Sequence, residues 1–161
     1  MRMQQAIAVL AAIGVTAALP VWSAEEAFDA CTVFTEVEAQ AGLGVAAAPE
    51  PPNPKVKQRP KVVLACTYHG FKESKAVSAS TTFKFGRTDA ETQKAFEEAR
   101  LQFQTKPLFI SGAEAFWSGK TGQLNLRKGR TWIVIAAGPA PVGERDINEA
   151  RKLAEILTKK L

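Results

Sequence analysis

The chain holds two cysteines, Cys31 and Cys66, and the segment between them cannot be one regular element. Around Cys31 the residues read CTVFTEVEAQAGLG, a short helix pattern, and around Cys66 they read KVVLACTYHG, an alternating strand pattern. Residues 49–60 lie between, PEPPNPKVKQRP, with five prolines. Proline offers no amide to a helix or a ladder. This stretch is expected to be an extended, solvated loop joining helix to strand. A Cys31–Cys66 bond would pin those two elements and leave the loop outside.

The start of the chain makes that bond expected. Arg2 precedes an uncharged apolar run from Ala6 to Leu19, which Pro20 breaks before Val21-Trp22-Ser23-Ala24. That pattern describes a secretory leader, residues 1–23, cut after Ser23 with Val21 at the third position before the cut. The run is shorter than the roughly 20 apolar residues a span needs, so no stable membrane insertion is expected after its removal. The location read from it is periplasmic or secreted. There, two lone thiols normally pair. Closing a loop of this length gives about 3–4 kcal/mol in the chain-entropy account. Residues 24–161 are enough for one ordinary domain with its own core.

Residue patterns along that domain alternate between helix and strand. Asp29 can cap a turn holding Cys31 and Phe34, and Thr35 with Glu38 forms a capping box. Val37 and Ala41 are expected to face the core, with Gly42 closing the helix. Leu43 to Ala48 suits a short strand. Val62, Leu64, Cys66 and Tyr68 alternate, with His69 near a turn at Gly70; Val77, Ala79, Thr81, Phe83 and Phe85 alternate next. Thr88 or Asp89 caps a helix reaching Gln104, with Thr92, Ala95 or Phe96, Ala99 and Phe103 on its apolar face. Leu108 to Ile110 is a brief strand, Gly112 to Trp117 a turn, and 123–127 with 131–137 a hairpin across Lys128-Gly129. Asp146 caps a last helix bearing Ile147, Ala150, Ala154, Leu157 and Leu161 at helical spacing. The expected fold is α+β, a single domain with an antiparallel sheet that carries its helices on one face and is polar on the other.

Motifs that would name a reaction are missing. Cys66-x-x-His69 offers two ligands where a structural zinc takes four, and His69 is the sole histidine. Gly119-Lys120-Thr121 resembles the end of a phosphate loop, but Glu114 stands where its first glycine belongs. No G-x-S-x-G elbow accompanies a base. Glu114 beside Phe116 and Trp117 is a carboxylate in an apolar setting, without a partner nearby in sequence. No cofactor or metal is expected. The formal net charge is +5, one lower without Arg2, which favours anionic partners. The charges are scattered rather than banded with stacking aromatics, so nucleic acid is not expected to bind.

The residues also carry a resemblance. A cysteine before a hydroxyl-capped helix (Cys31, Thr35, Glu36, Gly42) is followed by C-x-Y on a strand (Cys66, Tyr68). Then come a G-x-x-A-F-W turn (Gly112, Ala115, Phe116, Trp117) and an L-x-L-x-K-G hairpin (Leu124, Leu126, Lys128, Gly129), before a closing helix with Ala150, Leu153 and Ala154. In that order the set resembles a family of small exported bacterial envelope proteins, many of them lipoproteins, whose function is unknown. Ala113-Glu114 replaces the aspartate usual in the family's turn, and the lipidated cysteine is missing. The resemblance implies an α+β envelope protein and supplies no catalytic residues.

The resulting expectation is a non-enzymatic exported binding module for an envelope protein or an anionic ligand. The contact surface is expected to hold Glu114, Phe116, Trp117 and Trp132, with Lys120, Arg127 and Arg130 selecting the anion. A small envelope hydrolase or an enzyme inhibitor is the alternative.

Overall fold

The structure is a computed structural model that describes residues 28–51, 62–103 and 105–161. Residues 1–27, 52–61 and Gln104 lie outside the described residues, and with them the expected leader and most of the proline-rich stretch.

Local signals set most of the elements. Helix α1 (Ala30–Val33) starts at Asp29, whose carboxylate accepts the Cys31 amide. Helix α2 (Glu36–Leu43) starts at Thr35, where the Glu38 carboxylate accepts both the Thr35 amide and hydroxyl. Strands β1 (Ala47–Pro49), β2 (Ala65–Lys72) and β3 (Lys75–Phe85) form a meander. Helix α3 (Asp89–Gln102) follows, capped by the Thr88 hydroxyl accepting the Glu91 amide. Strands β4 (Thr105–Ile110), β5 (Ala113–Ser118), β6 (Gln123–Lys128) and β7 (Thr131–Pro139) make a second meander. Helix α4 (Ile147–Thr158) closes the chain from its Asp146 cap.

All seven strands join one antiparallel sheet in the order β1-β2-β3-β7-β6-β5-β4. The two meanders meet at β3 and β7, with Thr81 opposite Ile135 and Phe83 opposite Ile133. The α+β class and the antiparallel sheet are those expected from the residue pattern.

The helices divide between the faces. Helices α1, α2 and α4 cover the first face, where Phe34, Leu43, Leu153 and Leu157 pack with Phe83, Leu124, Leu126, Ile133 and Ile135. Helix α3 lies on the second face, with Phe96 against Phe116 and Trp132 at centroid distances of 4.8 and 5.8 Å. The expectation of helices on one face therefore holds for three of the four. Strands β5 and β7 are apolar at successive positions (Phe116-Trp117, Trp132-Ile133), which is the mark of strands covered on both sides. The β2–β3 half of the second face is polar, with Thr67, Ser78, Ser80 and Thr82 on it.

The Cys31–Cys66 disulfide is present, with Cα atoms 5.2 Å apart across a separation of 35 residues. It ties α1 to β2. A parallel bridge between Asp29 and Val63 runs beside it.

Several local expectations change: α2 closes at Gly44 rather than Gly42, and the first strand is Ala47–Pro49 rather than Leu43 to Ala48. Val37 is 70% exposed and Ala41 is exposed; Ala39, Gly42 and Leu43 form the buried face of α2. Gly42 sits against Leu153 of α4, where a Cβ would collide with the leucine side chain. Gly70 lies inside β2, and the reversal comes at Glu73-Ser74, both at positive φ. Gly112 to Trp117 is a turn only at Ser111-Gly112 and is otherwise strand β5.

Candidate functional site

The second face carries a groove. Helix α3 crosses β5, β6 and β7 and leaves a cavity of about 430 Å³ beside the end of the helix. Its apolar walls come from Ala99 of α3 and Phe103 just past its end, Phe116 of β5, and Trp132 and Val134 of β7. The polar lining comes from Thr82, Lys84, Gln102, Thr121, Gln123 and Asn125. A second hollow of about 730 Å³ adjoins it through Gln102 and Phe103 and adds Thr105, Lys106, Trp117 and Lys120.

Strand register explains why these groups converge. Asn125 stands opposite Phe116 on one side and Val134 on the other, and Lys84 opposite Trp132. Cross-strand partners share a face. The Trp132 Nε1–H donates to Asn125 Oδ1 at 2.9 Å, which satisfies a buried indole. It also fixes the amide, since an N–H donor must meet the oxygen. Asn125 Nδ2, on a side chain that is 7% exposed, makes no hydrogen bond with the described residues.

Two lysines here stand near aromatic rings. Lys84 Nζ stands 3.9 Å above the Trp132 ring centroid, and Lys120 Nζ stands 5.9 Å from that of Phe103. Neither has a carboxylate partner among the described residues, nor has Lys106. Lys72, Lys75, Lys94 and Lys160 each pair with a glutamate. The described residues lining both hollows include no aspartate, glutamate, histidine or cysteine.

The residues singled out from the sequence separate into three groups. Phe116, Trp132 and Lys120 belong to the groove and its extension. Trp117 is opposite Leu124 on the first face and packs in the main core while lining the adjoining hollow, whereas Trp132 lines the groove itself. Both are 8% exposed, and Phe116 is fully buried, so none of them projects as an anchor.

Glu114, Arg127 and Arg130 belong to structural contacts. Arg127 Nε and Nη2 donate to Glu114 Oε2 and Oε1 at 3.0 and 2.9 Å, and Nη1 donates to Asp89 Oδ1 at 2.6 Å and to the Gly129 carbonyl. The hydrogen bonds to Glu114 outweigh partial burial and raise the Arg127 pKa, with Asp89 adding to the effect. Four of the five N–H donors of this guanidinium are thus engaged within the protein. Arg130 Nε donates to the Gly86 carbonyl at the hairpin tip.

Sequence reasoning missed Lys84, Phe103 as a groove wall, and Asn125. Lys84 falls between the alternating residues Phe83 and Phe85, where nothing in the sequence marks it out. Only the pairing of β3 with β7, distant in sequence, puts it over Trp132. Among the described residues no three histidine, cysteine, aspartate or glutamate side chains cluster to hold a metal.

No protein-family model, curated protein or solved structure matches the chain.

Proposed function

We propose that this chain is an exported, non-enzymatic binding module whose ligand site is the groove beneath the end of α3. The observation that carries the reading is the composition of that groove. A volume of about 430 Å³ falls within the size range of small-molecule sites, and aromatic walls with a few polar groups are their usual lining. Lysine, amide, hydroxyl and aromatic groups hold ligands well. The described lining offers no base beside a nucleophile and no pair of carboxylates, so the hydrolase reading gains no support from it. No described helix is long and apolar enough to cross a membrane. Export is supported by the leader pattern of residues 1–23, the Cys31–Cys66 disulfide and the resemblance to envelope proteins.

Native mass spectrometry of the protein recovered from its own extracytoplasmic compartment tests the proposal. The expected species begins at Ala24, contains the disulfide and retains a small molecule that is lost in Phe103→Ala. A cytoplasmic, full-length, dithiol form would overturn export. A bound molecule unaffected by Phe103→Ala would move the ligand site elsewhere.

A further inference from the structure

We infer that the ligand is a small organic anion with a flat apolar body, its acid group held by Lys84 Nζ and Asn125 Nδ2. The inference rests on the groove being the ligand site and adds the chemical class. The unused donors point one way. Asn125 gives its oxygen to Trp132, so what remains at the floor is an N–H donor. Lys84 brings an ammonium group to the same wall, and its one close partner among the described residues is the face of Trp132. A cation over an indole keeps its charge and is held in place by the ring quadrupole. Lys120 and Lys106 extend the positive field along the adjoining hollow. With no lining carboxylate to neutralise them, these lysines favour acceptors and disfavour cationic ligands.

The walls define the rest of the molecule. Phe103, Phe116, Trp132 and Val134 give an apolar slot between helix and sheet, suited to a ring system rather than a polyol. Helix α3 roofs the slot, so a small molecule fits where a folded partner would not.

Two fluorescent probes with the same body test the charge. Anilinonaphthalene sulfonate carries one acid group, and phenylnaphthylamine is its uncharged analogue. Each is titrated into the folded, oxidised protein, its near-ultraviolet dichroism confirming native packing. The sulfonate is expected to saturate one site, with the neutral analogue at least about tenfold weaker. Lys84→Met should remove that preference, Lys84→Arg should retain it, and Phe103→Ala should weaken both probes. Equal binding of the two probes, unchanged by Lys84→Met, would overturn the anion inference and leave the groove as a site for neutral ligands. Failure of both probes to bind, or binding insensitive to Phe103→Ala, would overturn the groove as a ligand site.

Discussion

Arg127 and Glu114 meet through two parallel hydrogen bonds of 3.0 and 2.9 Å, across neighbouring strands β6 and β5. The arginine side chain is 8% exposed and the glutamate 50%. The same guanidinium reaches Asp89 in the first turn of α3. One cation thus fastens the helix that roofs the groove to the strands that floor it. The asymmetry of burial sets the prediction. Arg127→Met leaves two acids that can turn to water but breaks the tie of α3 to the sheet, and should cost about 2–4 kcal/mol. Glu114→Gln keeps one acceptor and should cost less than about 1 kcal/mol. Urea unfolding of the two variants measures both, and equal losses would contradict the assignment of the buried partner.

Gly42 gives a second prediction, with a sign opposite to helix propensity. Alanine normally stabilises a helix over glycine by about 0.5–1 kcal/mol. At Gly42 the added methyl meets Leu153, a fully buried residue of α4. Gly42→Ala should therefore destabilise by about 1–3 kcal/mol. A gain in midpoint temperature would mean that α2 and α4 stand farther apart than described.

Acid should weaken the contact between the chain's end and α2. Partial burial pushes the Glu38 carboxyl up, but hydrogen bonds from Lys160 and Thr35 outweigh it and bring its pKa from 4.5 to about 2. A carboxyl with a lowered folded pKa stabilises fully above its unfolded value, and that stability is lost as pH falls from about 4.5 towards 2. Lys160 is 36% exposed, so screening reduces the contribution to the order of 1–2 kcal/mol. Comparing native protein with Glu38→Gln over this range measures it. The native protein should lose its advantage as pH falls.

The disulfide leads to a simple titration. Denatured, unreduced protein should show no free thiol, and reduction should lower stability by about 3–4 kcal/mol. Two reactive thiols would contradict both the bond and the export argument built on it.

Features set by neighbours in sequence were legible before the fold was known. The Thr35–Glu38 capping box, the Thr88 and Asp146 caps and the Gly129 hairpin, with Gly129 at φ 58°, all rest on residues a few positions apart. The turn at Glu73-Ser74 was not, because it places two ordinary residues at positive φ where the more obvious turn former, Gly70, is nearby. Gly70 instead serves close approach, since a Cβ there would strike the Ala46 carbonyl. Trp117 and Trp132 looked like one surface because nothing local reveals that β5 and β7 are covered on both sides. The groove was legible only in part. Phe116 and Trp132 drew notice as aromatics, whereas Lys84 becomes informative only once β3 is paired with β7.

Proton–nitrogen correlation NMR during titration with anilinonaphthalene sulfonate tests whether the groove beside the end of α3 is the ligand site. Saturable shifts are expected at the Trp132 indole N–H and the Asn125, Gln102 and Gln123 side-chain amides, with the Trp132 indole shifting more than that of Trp117 in the adjoining hollow. A separate hollow of about 450 Å³ between Phe109 and Arg151, beside α4, provides the internal control. Shifts centred on that hollow, or none at Trp132 and Asn125 at saturation, would contradict the account.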